Sequence, residues 1–336
     1  MTAKMRFQPV SHSWVALHPQ PKGVIQFIGG AFFGTFFPMF FYRYLLESLF
    51  KNGYTIILLP FNFTFNHYVE AGFLIKEQYE IIPELVRMAQ LANYDYQVYL
   101  KDTNFSWIGH SIGCKYIALL EGFTALPEDH KELEKVIRQI VVKSSDTSDK
   151  AAIERKIQRI LSDIENLIYE LRQEKEKSNN LSSYYVGEEK NIFSSLFIKG
   201  QTSVLLAPVN SGTDSAIPKP LAKIIDKLGL GVNPNPKETF ALIQETNLFN
   251  LLGLIQFKTD KLAKSTVDWF LNTFHKPPVD FQYLAPGGHL KPLGLQVGNS
   301  VINFPDSLPI IESTQKRNAE LESYVIKLLQ ALEKKR

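Results

Sequence analysis

The feature that most constrains this 336-residue chain is the pentapeptide Gly109-His110-Ser111-Ile112-Gly113. It follows an apolar run, Phe105-Ser106-Trp107-Ile108, and precedes a helical pattern from Cys114 to Glu121. A Gly-x-Ser-x-Gly turn between a strand and a helix leaves room for a sharp bend that lifts the serine clear of a sheet. Three fixed positions in five recur by chance, so the weight lies in the flanking strand and helix. The plainer alternative is a tight turn whose serine is idle.

The rest of the chain repeats the same rhythm. Residues 23–29 form an apolar run ending in glycine, and a helical pattern runs from about Pro38 to Asn52. Residues 54–59 are β-branched and end at Pro60, and a long helix is expected from about Val69 to Leu91. Strand–helix alternation of this kind predicts a mostly parallel sheet with helices on both faces. Later strands are expected at Ser203–Ala207, Leu251–Phe257 and Val279–Leu284, with a helix from Ala263 to Phe274 and an amphipathic tail helix over about 314–334. Between Pro127 and Gly200 charge becomes dense and strand-like runs vanish. Ile153, Ile157, Ile160, Ile164, Leu167 and Leu171 fall at alternating steps of four and three, the pattern of a helical seam. Leu133, Val136, Ile137 and Ile140 suit a partner helix, with a polar linker over 144–149 that turns the chain and caps the second helix. The expected organisation is therefore a core of residues 1–126 and 200–336, with a helical hairpin at 127–199 acting as an arm, a dimerisation element or a lid.

Composition narrows the function classes. Hydrophobic residues at 45% and charged residues at 21% suit a large folded core. A net charge of +3, with basic residues dispersed among acidic ones, gives no reason to expect nucleic acid as a partner. Cys114 is the single cysteine, so neither an internal disulfide nor a cysteine-based metal cluster is expected, and the cytoplasm is the expected compartment. No metal or cofactor is called for, and Met1–Gln20 lacks the apolar stretch of a secretory signal. Val24–Tyr42 is 19 residues without a charge, close to a membrane span, but Gly29, Gly30, Gly34 and Pro38 interrupt it where a strand would hand over to a helix.

A serine hydroxyl needs a base and donors for a developing oxyanion. The N–H of Ile112 would supply one donor. The second is expected from Gly29-Gly30-Ala31-Phe32, after the first strand, with Ala31 preferred and Phe32 the alternative. Of seven histidines, His12 and His18 precede the first expected strand, His130 lies in the insertion and His275 ends a helix. His110 sits inside the elbow, facing away from the serine. His289, in the glycine-rich Pro286-Gly287-Gly288-His289 after the last strand, fits the chain order serine, acid, histidine. Asp260 is the expected acid, with Asp214 as runner-up. Gly29, Gly30, Phe33, His67 and His110 are expected to border the substrate pocket. Phe32 and Phe33 would wall an apolar acyl site, while most of Phe36, Phe37, Phe40 and Phe41 are expected in the core.

Gly23–Phe32, the block Pro60–Ala71 with Phe65-Asn66-His67, the elbow Trp107–Cys114 and the Gly-Gly-His-Leu end together resemble an uncharacterised α/β-hydrolase-like family of cyanobacteria and plant plastids. The resemblance covers most of the chain outside the insertion. It implies an α/β-hydrolase fold with Ser111, Asp260 and His289 in triad roles, and a stromal location if the protein is plastid-encoded or imported. It says little about substrate, because fold alone does not set function. The expected activity is a serine hydrolase on carboxylic esters of small or lipid-like molecules, with peripheral membrane contact and a homodimer through the insertion as further expectations. The alternatives are an acyltransferase or thioesterase on the same triad, or a non-catalytic scaffold.

Overall fold

The computed structural model describes residues 4–62, 64–145, 148–212, 231–297, 300–303, 312–314 and 319–336. Six parallel strands form its centre: β3 (Gly23–Ile28), β4 (Tyr54–Leu58), β5 (Phe105–His110), β6 (Thr202–Leu206), β7 (Leu252–Phe257) and β8 (Gln282–Ala285). A hairpin of β1 (Gln8–Val10) and β2 (Ser13–Ala16) is added antiparallel on β4. The resulting order is β1-β2-β4-β3-β5-β6-β7-β8. Every residue of β3, β4, β5 and β6 is buried, as expected of parallel strands covered on both faces.

The expected strands recur within a few residues, but the β1–β2 hairpin lies where no strand was expected. Its strands are three and four residues long and partly exposed, so they carry almost no apolar periodicity. The expected strand at 279–284 begins instead as a 3-10 turn, Val279–Phe281, and becomes β8 only at Gln282. A second, antiparallel sheet of β9 (Gly294–Val297), β10 (Ser300–Asn303) and β11 (Glu312–Thr314) was also not foreseen.

The helix expected over 38–52 is divided at Tyr42 into α1 (Pro38–Phe41) and α2 (Arg43–Lys51). α2 and the tail helix α9 (Glu320–Lys335) lie together on one face, with Leu328 and Leu332 over Gly253 of β7. The opposite face carries α3 (His67–Leu91) and α4 (Gly113–Thr124). Outside these lie α5 (His130–Ser144), α6 (Lys150–Val186) and α7 (Pro236–Thr246), and α8 (Lys264–Asn272) stacks Trp269 on Phe240 of α7.

The sequence between α4 and β6 folds as the two helices α5 and α6, each opened by an aspartate, Asp129 and Asp149, whose carboxylate accepts two backbone N–H groups. The seam helix also has a second neighbour. Ile157, Ile160, Ile164 and Leu171 are buried, and α6 packs on both α3 and α5. Leu167 occupies the space over Gly72, where an added Cβ would lie 2.5 Å from its Cδ1. α6 thus lies along α3 as well as beside α5.

Val24–Tyr42, the stretch long enough to suggest a span, is divided into β3, a turn and α1. Among the described residues no helix is long and apolar enough to cross a membrane.

Candidate active site

The elbow is built by close backbone approach. Ser111 adopts φ 57°, the left-handed region, at the turn from β5 into α4. A non-glycine residue there costs on the order of 1–2 kcal/mol, so the surroundings must hold it. They do so through Ser111 N–H to the Leu206 carbonyl at 3.0 Å and Val209 N–H to the Ser111 carbonyl at 3.2 Å, both from the end of β6. A Cβ on Gly113 would fall 2.3 Å from the Ile28 carbonyl oxygen, and one on Gly109 would fall 2.8 Å from the Cys114 nitrogen. Each glycine is therefore required by a neighbour.

The loops after β7 and β8 bring the other two polar side chains to the same carboxyl edge of the sheet, where open α/β sheets place their ligand sites. His289 Nε2 lies 2.9 Å from Ser111 Oγ, and His289 Nδ1 lies 2.8 Å from Asp260 Oδ2. The other oxygen of Asp260 accepts the N–H groups of Leu262 and Ala263 at 2.9 and 3.1 Å, at the entry to α8. Burial alone would raise the Asp260 carboxyl. The hydrogen bond from His289 and the two amides outweigh it and hold the group below the ordinary carboxylate range. A carboxylate can only accept, so Nδ1 of His289 donates to Asp260, which leaves Nε2 as the ring atom that faces the serine. Thr259 N–H donates to the Gly287 carbonyl at 3.0 Å, which ties the acid loop to the histidine loop. Asp214, the alternative acid, lies outside the described residues.

Gly30 sits directly against the serine, since a Cβ there would lie 3.3 Å from Ser111 Cβ. The next residue, Ala31, is exposed beside it, followed by the exposed Phe32. Among the described residues neither the Ile112 nor the Ala31 N–H enters a backbone hydrogen bond outside regular elements. Phe32 is 59% exposed and meets Phe33 edge-on at 5.4 Å, which places two apolar rings beside the serine loop. Phe37 and Phe40, expected in the core, are 65% and 52% exposed.

Three of the residues expected to border the pocket are buried. Gly29 is buried against the backbone of Gly34, where a Cβ would meet Gly34 Cα at 2.4 Å, so the close approach requires a glycine. His110 is buried, with its ring nitrogens bonded to the Tyr42 hydroxyl and the His289 carbonyl. His67 begins α3, buried edge-on to Tyr116, and makes no hydrogen bond with Ser111, Asp260 or His289 among the described residues. Lys115 was overlooked in the sequence because a lysine on a helix reads as solvated. It is 2% exposed, donates to the carbonyls of Ser211 and Pro234 at 2.8 Å each, and burial lowers its pKa to about 7. Among the described residues one grouping brings three candidate metal ligands within 4.8 Å, His12, Glu77 and Glu80. It lies by the β1–β2 turn, where Ser11, Ser13 and the His12 amide already hydrogen-bond its carboxylates.

The strand order with one antiparallel edge hairpin, the elbow after β5 and the acid and histidine on later loops define the α/β-hydrolase fold. A family model described as a protein of unknown function (DUF1350) matches residues 6–127, ending just before α5. No curated protein matches the chain. Among solved structures, a Lactobacillus plantarum protein provisionally assigned as a carboxylesterase is 9% identical, with 98% of this chain and 97% of that one covered and a TM-score of 0.48. Esterase B from Lactobacillus rhamnosis, inhibited by a tributyrin phosphonate, is 12% identical over 96% of this chain and 81% of its own, with a TM-score of 0.43. Thermogutta terrifontis esterase 2 with bound propionate is 11% identical over 99% and 93%, with a TM-score of 0.38.

Proposed function

We propose that this protein is a serine hydrolase of carboxylic esters that works through an acyl-enzyme. The observation that carries the reading is the continuous hydrogen-bonded line from Asp260 through His289 to Ser111 Oγ. In this reading Ser111 Oγ attacks the ester carbonyl carbon while His289 Nε2 takes the hydroxyl proton. Asp260 holds the ring in the required tautomer and stabilises the imidazolium that forms. The N–H groups of Ile112 and Ala31 receive the oxyanion. Collapse of the tetrahedral intermediate breaks the ester C–O bond, and His289 returns the proton to the departing alcohol. Water then repeats the sequence and frees the acid and the serine.

The exposed Phe32 and the neighbouring Phe33 favour an apolar acyl or alcohol group. The test is labelling by a fluorophosphonate probe together with turnover of p-nitrophenyl esters of increasing acyl length. Wild type is expected to be labelled and to turn over at least one ester, and Ser111→Ala to do neither. Equal labelling of both proteins would end the proposal. Acyl transfer to an added alcohol in preference to water would move it to the acyltransferase reading.

A further inference from the structure

Beneath the proposed triad runs a second line of hydrogen bonds that catalysis as written above does not use. Gly30 N–H donates to the Tyr42 hydroxyl oxygen at 2.8 Å. That hydroxyl is 2.7 Å from His110 Nδ1, and His110 Nε2 is 2.9 Å from the His289 carbonyl oxygen. Tyr42 and His110 are fully buried, at 0% and 1% exposure, so water does not compete for these bonds.

The chemistry allows only one direction at each link. A carbonyl oxygen accepts, so Nε2 of His110 must carry a proton. Burial, reinforced by the neighbouring His289, lowers the pKa of His110 to about 3, so the ring is neutral and carries one proton only. Nδ1 is then a bare acceptor, and the Tyr42 O–H must donate to it. That leaves the phenol oxygen to accept from Gly30. Burial raises the Tyr42 pKa, so the phenol keeps the proton it donates.

The three anchors are Gly30, the residue before the proposed donor Ala31; His110, the residue before Ser111; and the backbone of His289, the proposed base. We infer that Tyr42 and His110 are positioning residues, a buried clamp that sets the oxyanion loop, the nucleophile elbow and the histidine loop in register with one another. This rests on the hydrolase reading of the triad. Neither side chain reaches the serine hydroxyl. Each acts through the backbone it holds, and alignment errors of about 1 Å at a reacting centre cost on the order of a hundredfold in rate. The packing agrees: a Cβ on Gly30 would meet His110 Nδ1 at 3.2 Å, Ser111 Cβ at 3.3 Å and the Tyr42 hydroxyl at 3.4 Å. The break between α1 and α2 falls at Tyr42, whose ring packs edge-on to Phe27 at 4.7 Å and directs the hydroxyl toward the elbow.

The test pairs Tyr42→Phe, which keeps the ring and deletes the hydroxyl, with His110→Gln, which keeps a donor toward His289. On the p-nitrophenyl ester that wild type turns over, Tyr42→Phe is expected to lower kcat by about 10- to 100-fold with KM changed less than about threefold. Its rate of fluorophosphonate labelling should fall in parallel, and His110→Gln should lie between it and wild type. The activity-independent readout is nitrogen-15 NMR of His110 in the wild-type protein, which should show a neutral ring protonated at Nε2 throughout pH 5–9. A folded Tyr42→Phe with kcat within twofold of wild type overturns the clamp, as does a His110 ring that titrates in that range or carries its proton on Nδ1. Wild type that takes no probe while His110 shows the stated tautomer overturns the hydrolase reading and with it the positioning role, leaving the hydrogen bonds as packing alone.

Discussion

The imidazole of His289 meets the hydroxyl of Ser111 at 2.9 Å across 178 residues of chain, and the same imidazole meets Asp260 at 2.8 Å. Three loops at the ends of β5, β7 and β8 make that convergence, and nothing local to any one of them requires it. Removing the members one at a time should therefore be unequal. Ser111→Ala and His289→Ala are expected to reduce ester turnover at least about a thousandfold, and Asp260→Asn by about a hundred- to ten-thousandfold with the ring free to adopt the wrong tautomer. Steady-state kinetics on purified, folded variants measures this. An Asp260→Asn variant within tenfold of wild type would remove Asp260 from the triad.

Two buried imidazoles make the fold sensitive to acid. Burial lowers His67 and His110 to about 3 from an ordinary 6.5, so the unfolded chain binds more protons than the folded one between those values. Stability contributed this way is intact above about 6.5 and is lost as pH falls, by up to about 1.4 kcal/mol per pH unit for each group. Half-buried Glu121, raised by desolvation to about 7, acts in the opposite sense between its ordinary 4.5 and that value. The readout is thus a difference: urea unfolding of His67→Phe should show a slope against pH between 5 and 6.5 shallower than wild type by close to one proton. Identical slopes would mean that His67 titrates alike in both states.

Gly113 and Gly187 are expected to respond differently to alanine. At Gly113 the added methyl collides with the Ile28 carbonyl at 2.3 Å, and neither strand nor helix can yield without opening the elbow. Gly187 ends α6 at φ 78° with nothing within 4 Å, so only the backbone preference is offended. Gly187→Ala should cost about 1 kcal/mol, and Gly113→Ala about 3 kcal/mol or more together with activity. Thermal unfolding and turnover measured on the pair check the contrast.

Leu171 tests whether α6 belongs to the core. It is fully buried in the helix that lies along α3, so Leu171→Ala should lower stability by about 2–5 kcal/mol within a single unfolding transition. A separate early transition, or none of this loss, would describe a detachable arm.

Much of the site was legible in the sequence because its chemistry is carried by short motifs. The elbow pentapeptide names Ser111, and the strand run before it and the helix after it say which way the turn must go. His289 and Asp260 could be chosen because each follows an apolar strand run late in the chain. The clamp was not legible: Tyr42 reads as one more aromatic in Phe36–Tyr42, and His110 reads as a pocket residue with no partner to name. The β1–β2 hairpin escaped for another reason, since its strands are too short and half exposed to mark a period.

What the amino-acid sequence determined alone was the alternation of buried strands with helices and the turn that exposes Ser111, because periodicity and glycine placement act over a few residues. What only the tertiary structure decided was partnership: α6 against α3, His289 against Ser111, and Tyr42 with His110 beneath them. Such contacts join segments far apart in the chain, and they form only when burial of the whole sheet brings those segments to one edge.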